Sequence, residues 1–200
     1  MEYRTFKQCV QILCGEANGA GYGLVALHNG NDLGQTKQAL PVYQSFEAAI
    51  HATRFKHPTF QFQSRHDSAI RFDVNVDKNA NPSDCFPRYS ASDGIERDVT
   101  QIMGNVAYQT HWLEQADRAI HALCDEVTKA GFRPVSIQPK GGQSQLNVDD
   151  AYDLAIHAHQ LKQRSVIYFE SDEEPTMQFK VGYIGDRPQS QPFEYLVKRL

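Results

Sequence analysis

One cysteine lies beside a run of glycines, in a pattern that can support nucleophilic chemistry. Cys14 directly precedes residues 15–23, of which four are glycines. Because so many glycines oppose regular structure, we expect a loop there. Its backbone amides could stabilise an oxyanion while a histidine activates the thiol, which predicts a cysteine-dependent hydrolase or transferase. The competing interpretation is a structural thiol, since cysteine is among the most buried residue types.

Two other patterns are weak indications of bound groups. Residues 21–26 match Gly-x-Gly-x-x-Ala, but a dinucleotide site needs a helix after this motif, and Asn29-Gly30 follows too soon for one. His157 and His159 would share a face on a strand, whereas on a helix they lie about 200° apart. The pattern around them is helical. We therefore predict no cofactor and no metal site.

Basic residues alternate with phenylalanines in residues 51–72. The candidate partner-binding surface consists of five basic side chains: Arg54, Lys56, Arg65, His66 and Arg71. Such a surface can hold single-stranded nucleic acid when aromatic rings stack on the bases. However, period-two alternation places Phe60, Phe62 and Phe72 on the apolar faces of two strands, which predicts that these rings lie in the core. The remaining basic surface could contact an acidic protein as readily as nucleic acid.

The bulk composition is that of a globular chain with an uneven distribution of charge. The 200 residues carry a net charge of −4, with 9 Lys/Arg against 8 Asp/Glu in residues 1–92 and 11 against 16 in residues 93–200. No apolar run approaches the roughly 20 residues that span a bilayer, and the N-terminus does not resemble a signal peptide. We expect a cytoplasmic protein whose four cysteines are thiols, and no membrane association.

Hydrophobic periodicity predicts the elements that would position these residues. The clearest signal is a helix over 93–130, in which apolar residues recur at alternating steps of four and three. The width of its apolar face favours a helix packed on a sheet over a coiled-coil dimer, and the oligomeric state stays open between monomer and homodimer. The other predicted helices are 3–14, 148–163, a short one near 192–200, and one that Ser45 caps, that runs through Phe46, Ala49, Ile50 and Thr53 and that Pro58 ends. A strand through Val10, Ile12 and Cys14 is the alternative to the helix 3–14. The predicted strands are 24–28, a hairpin over 59–76, 132–138, 165–170 and 176–184.

These elements predict one α+β domain over residues 1–200. Its mixed or antiparallel sheet would contain the 59–76 hairpin and the β-α-β-β meander 132–184, and it would pack on the long central helix 93–130. The strand–helix–strand part of the meander would form a right-handed parallel crossover. The long polar loop 78–92 is the candidate boundary between lobes. No internal repeat is visible in the sequence.

The function that these patterns favour is a non-catalytic binding or regulatory protein with a protein partner. No acid–base pair, metal set or activated nucleophile is evident from spacing alone, and the charge is segregated along the chain. The cysteine-dependent enzyme and nucleic-acid binding through residues 54–71 stay as alternatives.

Overall fold

The computed structural model describes residues 1–29, 39–161, 164–184 and 193–196. The helices in this part of the chain are α1 (Tyr3–Gly19), α2 (Ser45–Arg54), α3 (Glu96–Lys129) and α4 (Ala151–Leu161). The strands are β1 (Tyr22–Asn29), β2 (Ala39–Pro41), β3 (Pro58–Ser64), β4 (Arg71–Asn75), β5 (Arg88–Ala91), β6 (Phe132–Pro139), β7 (Leu146–Asn147), β8 (Ser165–Ser171), β9 (Gln178–Tyr183) and β10 (Phe193–Leu196). The predicted α+β class is confirmed, as are the 59–76 hairpin and the long helix.

The chain forms two compact units, Met1–His111 and Trp112–Leu200, which divide within α3. Each unit has its own antiparallel five-stranded sheet, in the order β2-β1-β3-β4-β5 and β7-β6-β8-β9-β10. The hairpin and the meander, which we expected in one sheet, therefore lie in two. The loop 78–92, our candidate boundary, contains a 3₁₀ turn at Pro82–Asp84 and strand β5.

The two units have the same topology. Each consists of a helix, two strands, a second helix and three strands. In unit 2 the first of these helices is the second half of α3. In each sheet the first strand lies between the second and the third, and the fourth and fifth follow in order. The sequence did not reveal this internal repeat.

Aromatic rings at equivalent positions support the equivalence of the units. Phe62 of β3 stacks on Phe72 of β4 at a centroid distance of 4.8 Å, and Phe169 of β8 stacks on Phe179 of β9 at 4.9 Å. A ring from the first strand of each unit meets the stacked pair edge to face, at 5.2 Å for Tyr22–Phe72 and at 5.0 Å for Phe132–Phe179. The two cores therefore contain the same arrangement of three aromatic rings.

The turn after the first helix shows how the two sequences align. Gly21 and Gly131 both have positive φ, at 89° and 78°. Their carbonyls accept backbone hydrogen bonds from Arg65 at 3.0 Å and from Asp172 at 2.9 Å. An offset of 110 residues thus relates 13–27 to 123–137. Six pairs in that stretch are identical: Leu13/Leu123, Cys14/Cys124, Glu16/Glu126, Ala20/Ala130, Gly21/Gly131 and Val25/Val135.

The predicted loop 15–23 is wrong over most of its length. α1 continues to Gly19, and β1 begins at Tyr22, so the turn between them is two residues long. A glycine inside a helix costs about 1 kcal/mol relative to alanine, an amount that tertiary contacts can exceed. Here Ala17 is fully buried, and Glu16 accepts hydrogen bonds from the side chains of α3.

Two further predictions about the second half are wrong. The strands β6 and β8 pair antiparallel, because the short strand β7 reverses the chain before α4, so they do not form a parallel crossover. The helix expected near 192–200 is replaced at 193–196 by β10, which pairs with β9, and 197–200 lie outside the described residues.

Candidate functional site

The outer face of α1 and α2 in unit 1 carries exposed aromatic and basic side chains. We call it the helix-pair surface and define it by five residues: Tyr3, Lys7, Phe46, Ile50 and Arg54. It arises because α2 buries its alanines, Ala48, Ala49 and Ala52, whose small size lets α2 approach its neighbours closely. Phe46, which the sequence pattern placed on the apolar face, is 50% exposed instead.

A cation–π contact joins the two helices on this surface. The ammonium nitrogen of Lys7 lies 4.9 Å from the centroid of the Phe46 ring. At an exposed site such a contact contributes about 0.5–1 kcal/mol. Tyr3 lies one turn before Lys7 on α1, while Ile50 and Arg54 follow Phe46 at four-residue steps along α2. The contact therefore holds an aromatic ring in place while leaving much of it open to solvent.

Exposed large apolar side chains in the described residues are confined to unit 1. They are Tyr3, Tyr43, Phe46, Tyr89 and Tyr108. Tyr43, which is 73% exposed, lies three residues before Phe46 and just ahead of α2. Sequence periodicity missed this surface because it assigned Phe46 to an apolar stripe that would be buried. The alanines at 48, 49 and 52 are the signal that could have corrected the orientation of α2.

The structure separates the basic residues predicted from the sequence into two groups. Arg54 ends α2 and Lys56 precedes β3, whereas Arg65, His66 and Arg71 lie around the turn between β3 and β4. All five are exposed. The two groups sit at opposite ends of β3, a seven-residue strand about 20 Å long. They therefore form two surfaces rather than one.

The two groups also differ in their contacts. Arg65 donates to the side chain of Asn18 on α1, and Nε of Arg71 donates to the carbonyl of Ser68 at 3.0 Å. At the other end, Lys78 donates to the carbonyls of Thr53 and Phe55. Lys78 thus adds a third cation beside Arg54 and Lys56, at the carbonyl end of α2, where the helix dipole favours positive charge.

Unit 1 also contains a polar cleft of about 510 Å³ between the last turns of α1 and the first turns of α3. Its lining is formed by Gly15, Glu16, Gly19, Ala20, Asp98, Gln101, Ile102 and Asn105. The Glu16 carboxylate accepts a hydrogen bond from Asn105 at 3.0 Å and another from Gln109. Both of its oxygens are therefore engaged in joining α1 to α3, a structural role rather than one in acid–base chemistry.

Burial and a nearby carboxylate both raise the pKa of the phenol at the start of β1. Burial raises the pKa of Tyr22, and the negative charge of Asp98 raises it further. Asp98 lies in the first turn of α3. Tyr22 stays a neutral phenol at physiological pH.

The surroundings of Cys14 differ from the loop that the enzyme hypothesis assumed. Burial raises the pKa of the Cys14 thiol to about 12, so the thiol is protonated at neutral pH. The glycines that follow it belong to α1 up to Gly19, and amides inside a helix donate to carbonyls one turn earlier. Burial likewise raises the pKa of Cys124 to about 11, and all four cysteines are free thiols.

Three phenylalanine rings of the predicted hairpin lie in the core. Phe60 and Phe62 are completely buried and Phe72 is 1% exposed, so the prediction that they are core residues is confirmed. These three rings cannot stack on bases. His157 and His159 lie on α4, as the periodicity predicted. Across the described part of the chain, no group of three metal-ligating side chains comes together.

Comparisons with protein-family models, with curated proteins and with solved structures each gave no match. Among the helices of the described ranges, none is long and apolar enough to cross a membrane.

Proposed function

We propose that this is a non-catalytic binding protein whose helix-pair surface docks an acidic segment of a protein partner. The observation that supports this proposal best is the exposed Phe46 ring beneath the Lys7 ammonium group. Protein interfaces are enriched in aromatic residues and arginine, and aromatic side chains in partly enclosed positions dominate their energetics. We further propose that it acts in the cytoplasm, since all four cysteines are free thiols.

The charges of the surface define the partner. Lys7 and Arg54 lie on it, and Lys56 and Lys78 flank its end, whereas α2 contributes one carboxylate, Glu47. The surface is therefore net positive beside aromatic rings. A segment that combines carboxylates with apolar side chains would complement both features.

The test is capture of partners from a lysate of the native cell by the full-length protein, with nuclease present throughout. The first variant is Lys7→Glu with Arg54→Glu, and the second is Phe46→Ser. The matched control is Arg65→Glu with Arg71→Glu, which reverses two charges at the other end of β3. We expect a protein that the wild type and the control capture and that both surface variants lose.

Two outcomes would contradict the proposal. Capture that depends on Arg65 and Arg71 but not on Lys7 would move the site to the β3–β4 turn. A wild-type protein that captures nothing would remove the binding hypothesis. Circular dichroism of each variant establishes that the surface changes leave the fold intact.

A further inference from the structure

In unit 1, the first half of α3 covers one side of the core. Val99, Ile102 and Val106 are buried along it, and Ile95, directly before it, is buried at the same helical spacing. Its position is shown by three contacts: Asn105 and Gln109 donate to Glu16, and Tyr89 of β5 lies 3.3 Å from Thr100, oxygen to oxygen. An amphipathic helix thus lies beside α1 and reaches strand β5 of the sheet.

In unit 2, the equivalent side of the core is partly open. Leu13 and Phe72, which are 0% and 1% exposed, correspond to Leu123 and Phe179, which are only partly buried. Tyr22 is buried, and its equivalent Phe132 is also only partly buried. We call Leu123, Phe132 and Phe179 the open face. In the described residues of unit 2, the helices are the second half of α3 and α4, and neither corresponds to the covering helix of unit 1.

Carboxylates border the open face on the side of α3. Glu126 corresponds to Glu16, whose carboxylate accepts hydrogen bonds from two side-chain amides of the covering helix in unit 1. Asp125 precedes it, where unit 1 has Gly15. Both are exposed, and Lys129 on the next turn donates to Glu126 at 2.6 Å. A helix that lay here as α3 lies in unit 1 would therefore face two carboxylates.

We infer that the open face binds an amphipathic helix of a partner protein, with lysine or arginine on the flank that faces Asp125 and Glu126. Helix-in-groove binding uses apolar side chains at positions i, i+4, i+7 and i+11, the spacing that Ile95, Val99, Ile102 and Val106 show in unit 1. The basic flank follows from charge complementarity. This inference does not depend on the helix-pair surface, which belongs to unit 1 and favours the opposite charge.

The test uses the full-length protein and a synthetic peptide that copies the covering helix. The peptide is residues 94–111 with Asn105→Arg and Gln109→Arg, because these two side chains contact Glu16 in unit 1. A second peptide with Val99→Ser and Ile102→Ser lacks the apolar stripe. We expect saturable binding of the first peptide, read by fluorescence anisotropy, and at least tenfold weaker binding of the second.

Variants of the protein test whether the peptide binds at the open face. Glu126→Lys changes an exposed residue, so it should leave the fold intact. It should weaken the affinity for the first peptide by roughly tenfold, which is about 1.4 kcal/mol. Leu123→Glu should abolish binding, and Glu173→Lys, at an exposed turn, is the charge-matched control that should not change it. Absence of saturable binding, or equal affinity for the wild type and Glu126→Lys, would overturn the inference. A wild-type dimer that Leu123→Glu converts to a monomer would also overturn it, since the occupant would then be a second copy of the chain.

Discussion

The carbonyls of Val25 and Val135 hold the same position in two different sheets. Each accepts a backbone hydrogen bond from the valine that directly follows the second strand of its unit, Val42 at 3.3 Å and Val148 at 3.0 Å. At Val25 and at Val135 the register between the first and third strands of the unit shifts by one residue. Bulges of this kind are features that a fold retains. Equivalent positions in the two units therefore provide matched variants for the predictions that follow.

The turn glycines should be sensitive to substitution. Gly21→Ala and Gly131→Ala should each lower the free energy of unfolding by about 1–2 kcal/mol, because a side chain at positive φ is strained. Gly15→Ala is the control. A Cβ there meets open space inside α1, so it should stabilise the protein by up to about 1 kcal/mol. Urea denaturation followed by circular dichroism measures all three, and equal effects at Gly15 and Gly21 would contradict the assigned backbone.

Equivalent phenylalanines should differ in their contribution to stability. Phe72→Ala should cost about 4 kcal/mol, because this ring is 1% exposed. Phe179→Ala should cost about half as much, roughly 2 kcal/mol, because Phe179 is only partly buried and less apolar area returns to water. Hydrogen exchange read by mass spectrometry on peptides from each unit reports these local free energies. Equal costs would show that the open face is covered in solution.

The two equivalent glutamates should also differ. Glu16→Ala should destabilise unit 1 by roughly 1 kcal/mol, because Asn105 and Gln109 lose their shared acceptor. Glu126→Ala should change stability by less than about 0.5 kcal/mol, because its side chain is 74% exposed and its pair with Lys129 is a surface ion pair. Thermal unfolding of both variants under the same conditions makes the comparison. A larger loss at Glu126 would contradict the assigned roles.

The Cys14 thiol should react slowly. With the pKa raised to about 12 by burial, the thiolate fraction at pH 7 is on the order of 10⁻⁵, and it grows about tenfold for each unit by which pH rises towards 12. Alkylation by iodoacetamide at pH 7 should therefore be much slower than that of free cysteine. Peptide mapping by mass spectrometry identifies the modified residue, with Cys14→Ser as the control. Rapid modification of Cys14 would favour the enzyme hypothesis over the binding protein.

The sequence predicted those parts of the fold whose signal is local. Alternation in Phe60, Phe62, Phe72 and Val74 predicted the hairpin and its buried face, and both are confirmed. The fours-and-threes spacing from Ile95 to Val127 predicted α3. For the candidate site, the sequence identified Arg54, but it missed the exposed aromatic rings. Helical spacing shows which residues share a face, whereas the depth at which a face is buried depends on its neighbours.

The periodic elements of this protein follow from its sequence, because each side chain there reinforces the same local geometry. The tertiary structure decided the conformation of the glycine-rich half of α1, where a preference of about 1 kcal/mol per glycine was outweighed by contacts to Glu16 and Ala17. It also decided the repeat of one topology in two units. Equivalent core positions require an apolar side chain on the buried face, but the two residues need not be identical. Pairs such as Leu27/Ile137 and Phe60/Ile167 therefore leave little trace of the repeat in the sequence.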